Sequence, residues 1–296
     1  MSEPDTSFAI RRILIALDAS PHSLAALDMA VDLAATVEAE LAGLFVEDVE
    51  LLRIADSPSA REIAYTAATE TPLNRTTMER QWRAQSEQIR NTLEAAAHRA
   101  QVPWSFRTVR GQVTSALRAA ARENDIVAIG RLGWSFGRGL RMGSTALDLA
   151  TASRIPLLLI SQRAVLGNLR LLVYYDGSPA SKNALLVAAK LAKAGTKGIT
   201  ILVSTADYDD KVTEVQTLLQ GHALEARFRR IDLDERMNLA RAVRSEGTVL
   251  LVLAGRQLLK DREAFEALLR EVEAPLLLLG DGFGGEATEA PLRAMG

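Results

Sequence analysis

The sequence predicts an α/β fold of two tandem, doubly wound parallel sheets, each with five strands and with helices on both faces. The first observation is an internal repeat, because RILIALDASPHS at residue 12 resembles RLLVYYDGSPAS at residue 170. The second is that short apolar stretches alternate with amphipathic ones in both halves, as in parallel sheets covered on both faces. The third is the length of 296 residues, which allows two domains that each bury a core.

The repeat keeps an offset of 158 positions over its first two strands. The matching residues are Asp18 and Asp176, Ser20 and Ser178, and Pro21 and Pro179. The second strand follows the same offset, since ELAGLFV at 40–46 matches GITILVS at 198–204. We therefore predict domains at 1–163 and 168–296, joined by a short linker at 162–168 that holds the halves together.

The elements of the first copy can be assigned in order. The strand ILIAL leads to a helix from Pro21 to about Glu38, for which Ser20 is a suitable N-cap and proline a suitable first residue. The strand LAGLFV precedes a long helix near 78–100, and the strand WSFRTV precedes a helix at 114–123. The strand DIVAIG, a helix near 144–153 and the strand PLLLIS complete the copy.

The two copies differ in length at two places. Taking Gly130 to match Gly255 gives an offset of 125, so the first copy has about 33 extra residues (158 − 125), at 48–80. This insertion is interpreted as a lid, a partner surface or a disordered segment. The second copy has also lost about six residues after its fourth strand, where the first copy is rich in glycine.

The glycine-rich segment GRLGWSFGRGLRMGST spans 130–145, between a predicted buried strand and a predicted helix. Backbone N–H groups converge at such a junction, and the helix dipole adds partial positive charge, so anions bind there. Ser144 or Thr145 can cap the helix or donate a hydroxyl to a phosphate. Glycine-rich loops are also plain tight connections. The arginines at 131, 138 and 141, and the shortening of this segment in the second copy, favour phosphate binding.

These residues resemble the ATP-binding subtype of the universal stress protein family, whose nucleotide motif has the same G-2x-G-9x-G-[S/T] spacing. The resemblance covers nearly the whole chain as two copies. It implies that ATP, with Mg²⁺, binds to the first copy only, because the second copy keeps Asp176 and Gly177 but lacks the later glycines. The residues implied for adenine and ribose are Ala16, Leu17, Asp18 and Val46, and those for the phosphate loop are Gly130, Arg131, Gly133, Gly143, Ser144 and Thr145.

Asp18 has two interpretations at the end of the first strand. It can orient a ribose or a Mg²⁺-bound water, or it can accept local N–H groups and start the helix. No P-loop or dinucleotide motif is present, and no catalytic residue can be assigned. The sequence therefore favours an ATP-binding regulatory or stress-response protein. A slow ATPase or phosphotransferase using Asp18 and Mg²⁺, and a nucleotide-independent interaction scaffold, are the alternatives.

Composition narrows the environment and the partners. The absence of cysteine excludes disulfides and thiolate sites, and it fits a reducing compartment. A net charge of −2 argues against a broad nucleic-acid surface. No apolar run reaches the ~18 residues of a membrane span, and the N-terminal MSEPDTSFAIRR has no apolar stretch like that of a secretory signal. We expect a cytoplasmic protein with an unidentified protein partner.

Each copy ends in an apolar strand, PLLLIS at 156–161 and PLLLLG at 275–280. As the fifth strand of its sheet, each would lie at an edge, and exposed apolar edges are normally covered. Universal stress proteins resembling this one dimerise through that strand. We therefore expect the two edges to pair within the chain as a pseudo-two-fold dimer, which leaves open whether whole chains also dimerise.

Overall fold

The computed structural model describes most of the chain outside the glycine-rich segment and the termini. The described residues are 10–18, 20–56, 61–64, 69–72, 74–131, 146, 149–150, 156–160, 166–193, 196, 198–222, 224–232, 236–247, 249–254 and 262–280. Within these residues, no helix combines the length and the apolar character needed to cross a membrane.

The first half alternates strands and helices as predicted, with small differences at the ends of elements. Its helices are α1 (Pro21–Val37), α2 (Val49–Ala55), α3 (Arg75–Ala100) and α4 (Val113–Ala121). Its strands are β1 (Arg12–Leu17), β2 (Glu40–Asp48), β3 (Arg61–Ala64), β4 (Thr69–Pro72), β5 (Trp104–Gly111), β6 (Ile126–Gly130) and β7 (Leu157–Ile160). The helix predicted near 144–153 lies mostly outside the described residues. Its described residues Ala146, Leu149 and Ala150 are helical and buried.

The second half repeats this alternation without the insertion. Its strands are β8 (Arg170–Tyr175), β9 (Ile199–Ser204), β10 (Ala226–Ile231), β11 (Val249–Ala254) and β12 (Leu276–Leu279). Its helices are α5 (Pro179–Lys193), α6 (Tyr208–Leu219), α7 (Arg236–Glu246) and α8 (Arg262–Glu271). A short 3₁₀ turn at Leu166–Asn168 precedes β8, and the Leu166 side chain packs in the core.

The described strands, apart from β3 and β4, form one ten-stranded sheet in the order β10-β9-β8-β11-β12-β7-β6-β1-β2-β5. Numbered within its own half, each set of five has the order 3-2-1-4-5. Neighbours within a half are parallel. The order reverses between β1 and β6 and between β8 and β11. In open α/β sheets, ligands bind beyond the carboxyl ends of the strands at such a switch point.

The predicted pairing of the two terminal strands is confirmed. β7 and β12 meet side by side and run antiparallel, with Leu158 opposite Leu277. All the residues of both strands are buried. The antiparallel junction, called the seam below, relates the two parallel halves by a pseudo-two-fold axis and leaves neither apolar edge exposed.

Strand register corrects the predicted match between Gly130 and Gly255. Ile13 pairs with Ile126, and its repeat mate Leu171 pairs with Leu250, so the offset in the fourth strand is 124 (250 − 126). The seam side agrees, because Ala128 pairs with Leu158 and Val252 pairs with Leu277. Gly130 therefore corresponds to Ala254. Matching Gly130 with Gly255 therefore gives an alignment of the fourth strands that is wrong by one residue.

Helices cover both faces of the sheet, so the strands alternate between two apolar cores. On β1, Ile13, Ile15 and Leu17 face the core beneath α1 and α3, whereas Leu14 faces the core beneath α4. Both cores continue across the seam, with Leu158 and Leu277 in the first and Leu157 and Leu278 in the second. The two halves consequently share their apolar interior.

The insertion contains regular structure in its described part. Asp48 caps α2, which packs on α3, and β3 and β4 pair antiparallel as a sheet of their own. Arg75, the first residue of α3, forms an ion pair with Asp56 at 2.9 Å and so links the start of α3 to the end of α2. These elements differ from the disordered segment that was one interpretation of the sequence. The role of the insertion stays a prediction.

Candidate functional site

The residues predicted to bind a nucleotide, where the structure describes them, lie together at the carboxyl edge of β1, β2 and β6. Leu17 pairs with Phe45, which puts Asp18 level with Val46 one residue later. Ile15 pairs with Ala128, and continuing this register puts Leu17 level with Gly130. This edge is the switch point of the first half, so the topology brings the sequence-distant residues to one crevice.

Asp18 forms a compact turn between β1 and α1. Its Oδ1 accepts the N–H of Ser20 at 3.0 Å, and Ser20 Oγ in turn accepts the N–H of Ser23 at 3.1 Å. The Ser23 hydroxyl donates to the Ser20 carbonyl oxygen at 3.1 Å. Ser20 and Ser23 are buried, so their side chains serve the turn. Asp18 therefore does have the local role of accepting an N–H group at the start of the helix. Ser23 also belongs to this turn, although the sequence motif does not include it.

The same turn recurs in the second half. Asp176 Oδ1 accepts the N–H of Ser178 at 2.9 Å, and Ser178 Oγ accepts the N–H of Ser181 at 3.2 Å. Burial acts to raise the pKa of Asp176, but hydrogen bonds, chiefly from Ser178 and Ser181, outweigh it and lower the pKa below its usual value. A carboxylate at this position is thus explained by helix initiation in both halves.

Ala16, Leu17 and Val46 present backbone more than side chain to the edge. The Leu17 side chain is buried in the core, and the half-buried Ala16 and Val46 pack against the opposite core. Only their main-chain groups and small surfaces can border a ligand. This arrangement suits a flat, apolar group that hydrogen-bonds with main chain.

Gly130 has a steric reason to be glycine that does not involve a ligand. A Cβ there would lie 3.0 Å from the carbonyl carbon of His22 and 3.1 Å from its oxygen. The first turn of α1 therefore packs directly against the end of β6. Since Ala254 corresponds to Gly130, the second half has a Cβ where the first half requires its absence.

Arg131 is oriented toward the second half. Its N–H donates to Ile160 O at 2.8 Å. Its buried guanidinium donates to Val272 O at 2.5 Å and also to Leu269 O, at the end of α8. Burial lowers the pKa of Arg131 to about 10, while the opposite charge of Glu273 acts to raise it. These partners are main-chain carbonyls of the second half, whereas the sequence predicted a phosphate contact for Arg131.

The remaining predicted phosphate ligands lie outside the described residues. They are Gly133, Gly143, Ser144 and Thr145. The start of their segment is described, because β6 ends at Gly130 at the switch point and Arg131 follows it. The glycine-rich segment therefore leaves the sheet at the edge where Asp18 lies.

A partly buried lysine lies at the corresponding edge of the second half. Lys211 of α6 donates to Ser204 Oγ at 2.9 Å and also to Ala206 O. Its Cε lies 3.2 Å from where a Cβ of Gly177 would be, and Gly177 has a φ of 84°. Ser204 corresponds to Val46, so the Lys211 ammonium occupies the end of the second strand where adenine was predicted in the first half.

A surface groove of about 320 Å³ lies elsewhere, between β5 and α4. Leu44, Val109 and Ala116 are among its lining residues, and none of the predicted nucleotide residues lines it. The described part of the chain contains no group of three or more histidine, cysteine, aspartate or glutamate side chains that could hold a metal ion. Neither feature indicates an alternative site.

The fold and this edge define a doubly wound α/β protein in which two copies form one continuous sheet. A family model of the universal stress protein family matches residues 9–161. The chain therefore belongs to the universal stress protein family, as its sequence motif implied. Among curated protein sequences, none is significantly similar to it.

Two of the solved structures that align with the chain have the same fold over nearly its whole length. A universal stress protein from Archaeoglobus fulgidus aligns with a TM-score of 0.70 at 14% identity, covering 92% of this chain and 99% of its own. A functionally unknown protein from Pseudomonas aeruginosa aligns at 0.60 and 13%, covering 93% and 95%. A universal stress protein in complex with cAMP aligns at 0.33 and 22%, covering 52% and 99%.

Proposed function

We propose that the protein is an ATP-binding regulatory or stress-response protein with one nucleotide site, in the first of two domains at 1–163 and 168–296. The observation that carries the proposal is the G-2x-G-9x-GS segment, which leaves β6 at the switch point beside Asp18. Such a loop offers main-chain N–H groups to phosphates. Ala16, Leu17 and Val46 would border adenine and ribose, and Mg²⁺ would be held mainly by the phosphates.

Two features of the second half support a single site. The segment after β11 is shorter than its counterpart, and it contains Gly255 but no second or third glycine. Lys211 also occupies the other end of the crevice, against Ser204 and Gly177. Loss of the phosphate loop and occupation of the adenine end are independent changes, and each opposes nucleotide binding.

Calorimetric titration of the purified protein tests the proposal. We expect one ATP per chain and no binding by Gly133→Val, because its side chain would intrude on the phosphate path. Gly255→Val, in the second half, is the control and should leave the stoichiometry unchanged. Titrations with ADP, AMP and cAMP identify the preferred nucleotide. Two ATP sites per chain, or normal binding by Gly133→Val, would overturn the assignment.

A further inference from the structure

We infer that Arg131 is a positioning residue that couples the nucleotide loop of the first half to α8 of the second half. The inference rests on the proposed nucleotide site. Arg131 lies between Gly130 and Gly133, at the start of the phosphate segment, yet its guanidinium donates to carbonyl oxygens 138 and 141 positions away, those of Leu269 and Val272. The loop therefore begins at a residue that is fixed by the other half.

The antiparallel seam explains how this contact arises. Because β12 runs antiparallel to β7, the end of α8 that precedes β12 lies beside the carboxyl ends of β6 and β7. The last carbonyls of a helix have no partner within the helix and carry partial negative charge. Arg131 donates to Leu269 O within the last turn of α8 and to Val272 O just beyond it. The second half thus supplies the acceptors that fix Arg131, the residue at which the first half's loop begins.

The contact between the Arg131 guanidinium and the two carbonyl oxygens is buried, so breaking it is unfavourable. The Arg131 side chain is 8% exposed, and an unpaired guanidinium would be unfavourable in that environment. Its main-chain N–H is also fixed, by Ile160 O. Nucleotide binding next to Arg131 would therefore act on α8 through a short link whose two ends are both fixed by hydrogen bonds. By thermodynamic reciprocity, changes at α8 would alter nucleotide affinity by the same factor.

The test combines ATP titration with hydrogen exchange of the peptide at 268–273. In the unmodified protein, ATP should slow exchange at 268–273 as well as around 130–145. Arg131→Met, which keeps the alkyl chain, should weaken ATP binding by about tenfold, within the ~5–150-fold range typical of coupled sites, and should abolish the effect at 268–273. Arg131→Lys should recover part of both, since an ammonium can still donate to these carbonyls.

Leu277→Ala is the matched control. Leu277 is buried in the seam opposite Leu158, in the core on the other face of the sheet from Leu269 and Val272, so its truncation should lower thermal stability without removing the guanidinium contact. Its ATP affinity should stay unchanged. If this variant loses affinity as much as Arg131→Met, or if 268–273 does not respond to ATP that binds normally, the coupling is wrong and the proposed function stands. If the unmodified protein binds no ATP, both are overturned.

Discussion

At the scale of single residues, Asp18 and Asp176 show how one side chain can be retained for one reason and used for another. Both carboxylates accept the N–H two residues later, at 3.0 and 2.9 Å, and both start a helix. Their surroundings differ, because Asp18 follows the end of β1 that lies level with Gly130, whereas Lys211 lies next to Gly177. The turn accounts for the aspartate in both halves, and only the first half leaves it near a predicted ligand.

This pair provides a matched test of the nucleotide role of Asp18. Asn can accept the same N–H, so Asp18→Asn and Asp176→Asn should lower the melting temperature by similar, small amounts. Only Asp18→Asn should weaken ATP binding, by about tenfold, if the charged carboxylate hydrogen-bonds the ribose or a Mg²⁺-bound water. Melting curves and calorimetry of the two variants measure this. Equal ATP affinities would leave Asp18 with the helix-starting role alone.

At the scale of elements, the apolar runs of the sequence predict the large sheet well, because a strand buried on both faces needs a continuous apolar stretch. The strands β3 and β4 escaped this signal, since REIA and TETP are short and mostly polar. The offset in the fourth strand was wrong by one because residue identity does not fix register, which depends on pairing. The direction of Arg131 could not be read from sequence, as its acceptors are main-chain atoms of the other half.

The N-cap of α3 allows the stability of one helix to be changed by a single substitution. Asn74 caps α3, and its Oδ1 accepts the N–H of Thr76 at 2.8 Å and that of Thr77 at 3.4 Å. Asn74→Ala should lower the free energy of unfolding by about 1 kcal/mol, because two N–H groups lose their acceptor. Gln112 at the start of α4 makes no side-chain capping bond. Gln112→Ala should therefore change the free energy of unfolding by less than ~0.5 kcal/mol. Urea titration of both variants measures the two changes. An equal loss of stability in the two variants would contradict the capping argument.

At the scale of the whole molecule, the seam turns two five-stranded sheets into one of ten strands. The strands β7 and β12 are only four residues long. Both apolar cores nevertheless continue across them, one on each face of the sheet. Burial of this row of leucines replaces the exposed edge that each half would have alone. The seam is thus a part of the core as well as a boundary between halves.

The register of the seam can be tested by cross-linking, since the chain has no cysteine of its own. Leu158 lies directly opposite Leu277, so Leu158→Cys with Leu277→Cys should form an intrachain disulfide on mild oxidation. The off-register pair Leu158→Cys with Leu279→Cys should form far less. Thiol titration and peptide mass spectrometry distinguish the products. Disulfides between chains, or equal yields from both pairs, would refute the arrangement.

Replacing Leu158 and Leu277 with aspartate tests the energetic role of the same pair. Two like charges would be buried face to face, so we expect separation of the halves or aggregation in size-exclusion chromatography. The exposed Leu51 offers a control at which aspartate should have little effect. A monodisperse double variant with unchanged melting would show that the halves are held together elsewhere.

The seam also bears on how the two halves could come to differ. Two separate chains that dimerise through this strand carry the same gene product on both sides, so a mutation that destroys one ligand crevice destroys its twin. Within one chain, the partner is always present at a high local concentration that does not fall on dilution. Each half can then accumulate its own mutations, and every molecule still contains one copy of each half. A lysine such as Lys211 is tolerated in one crevice because the other crevice is encoded independently.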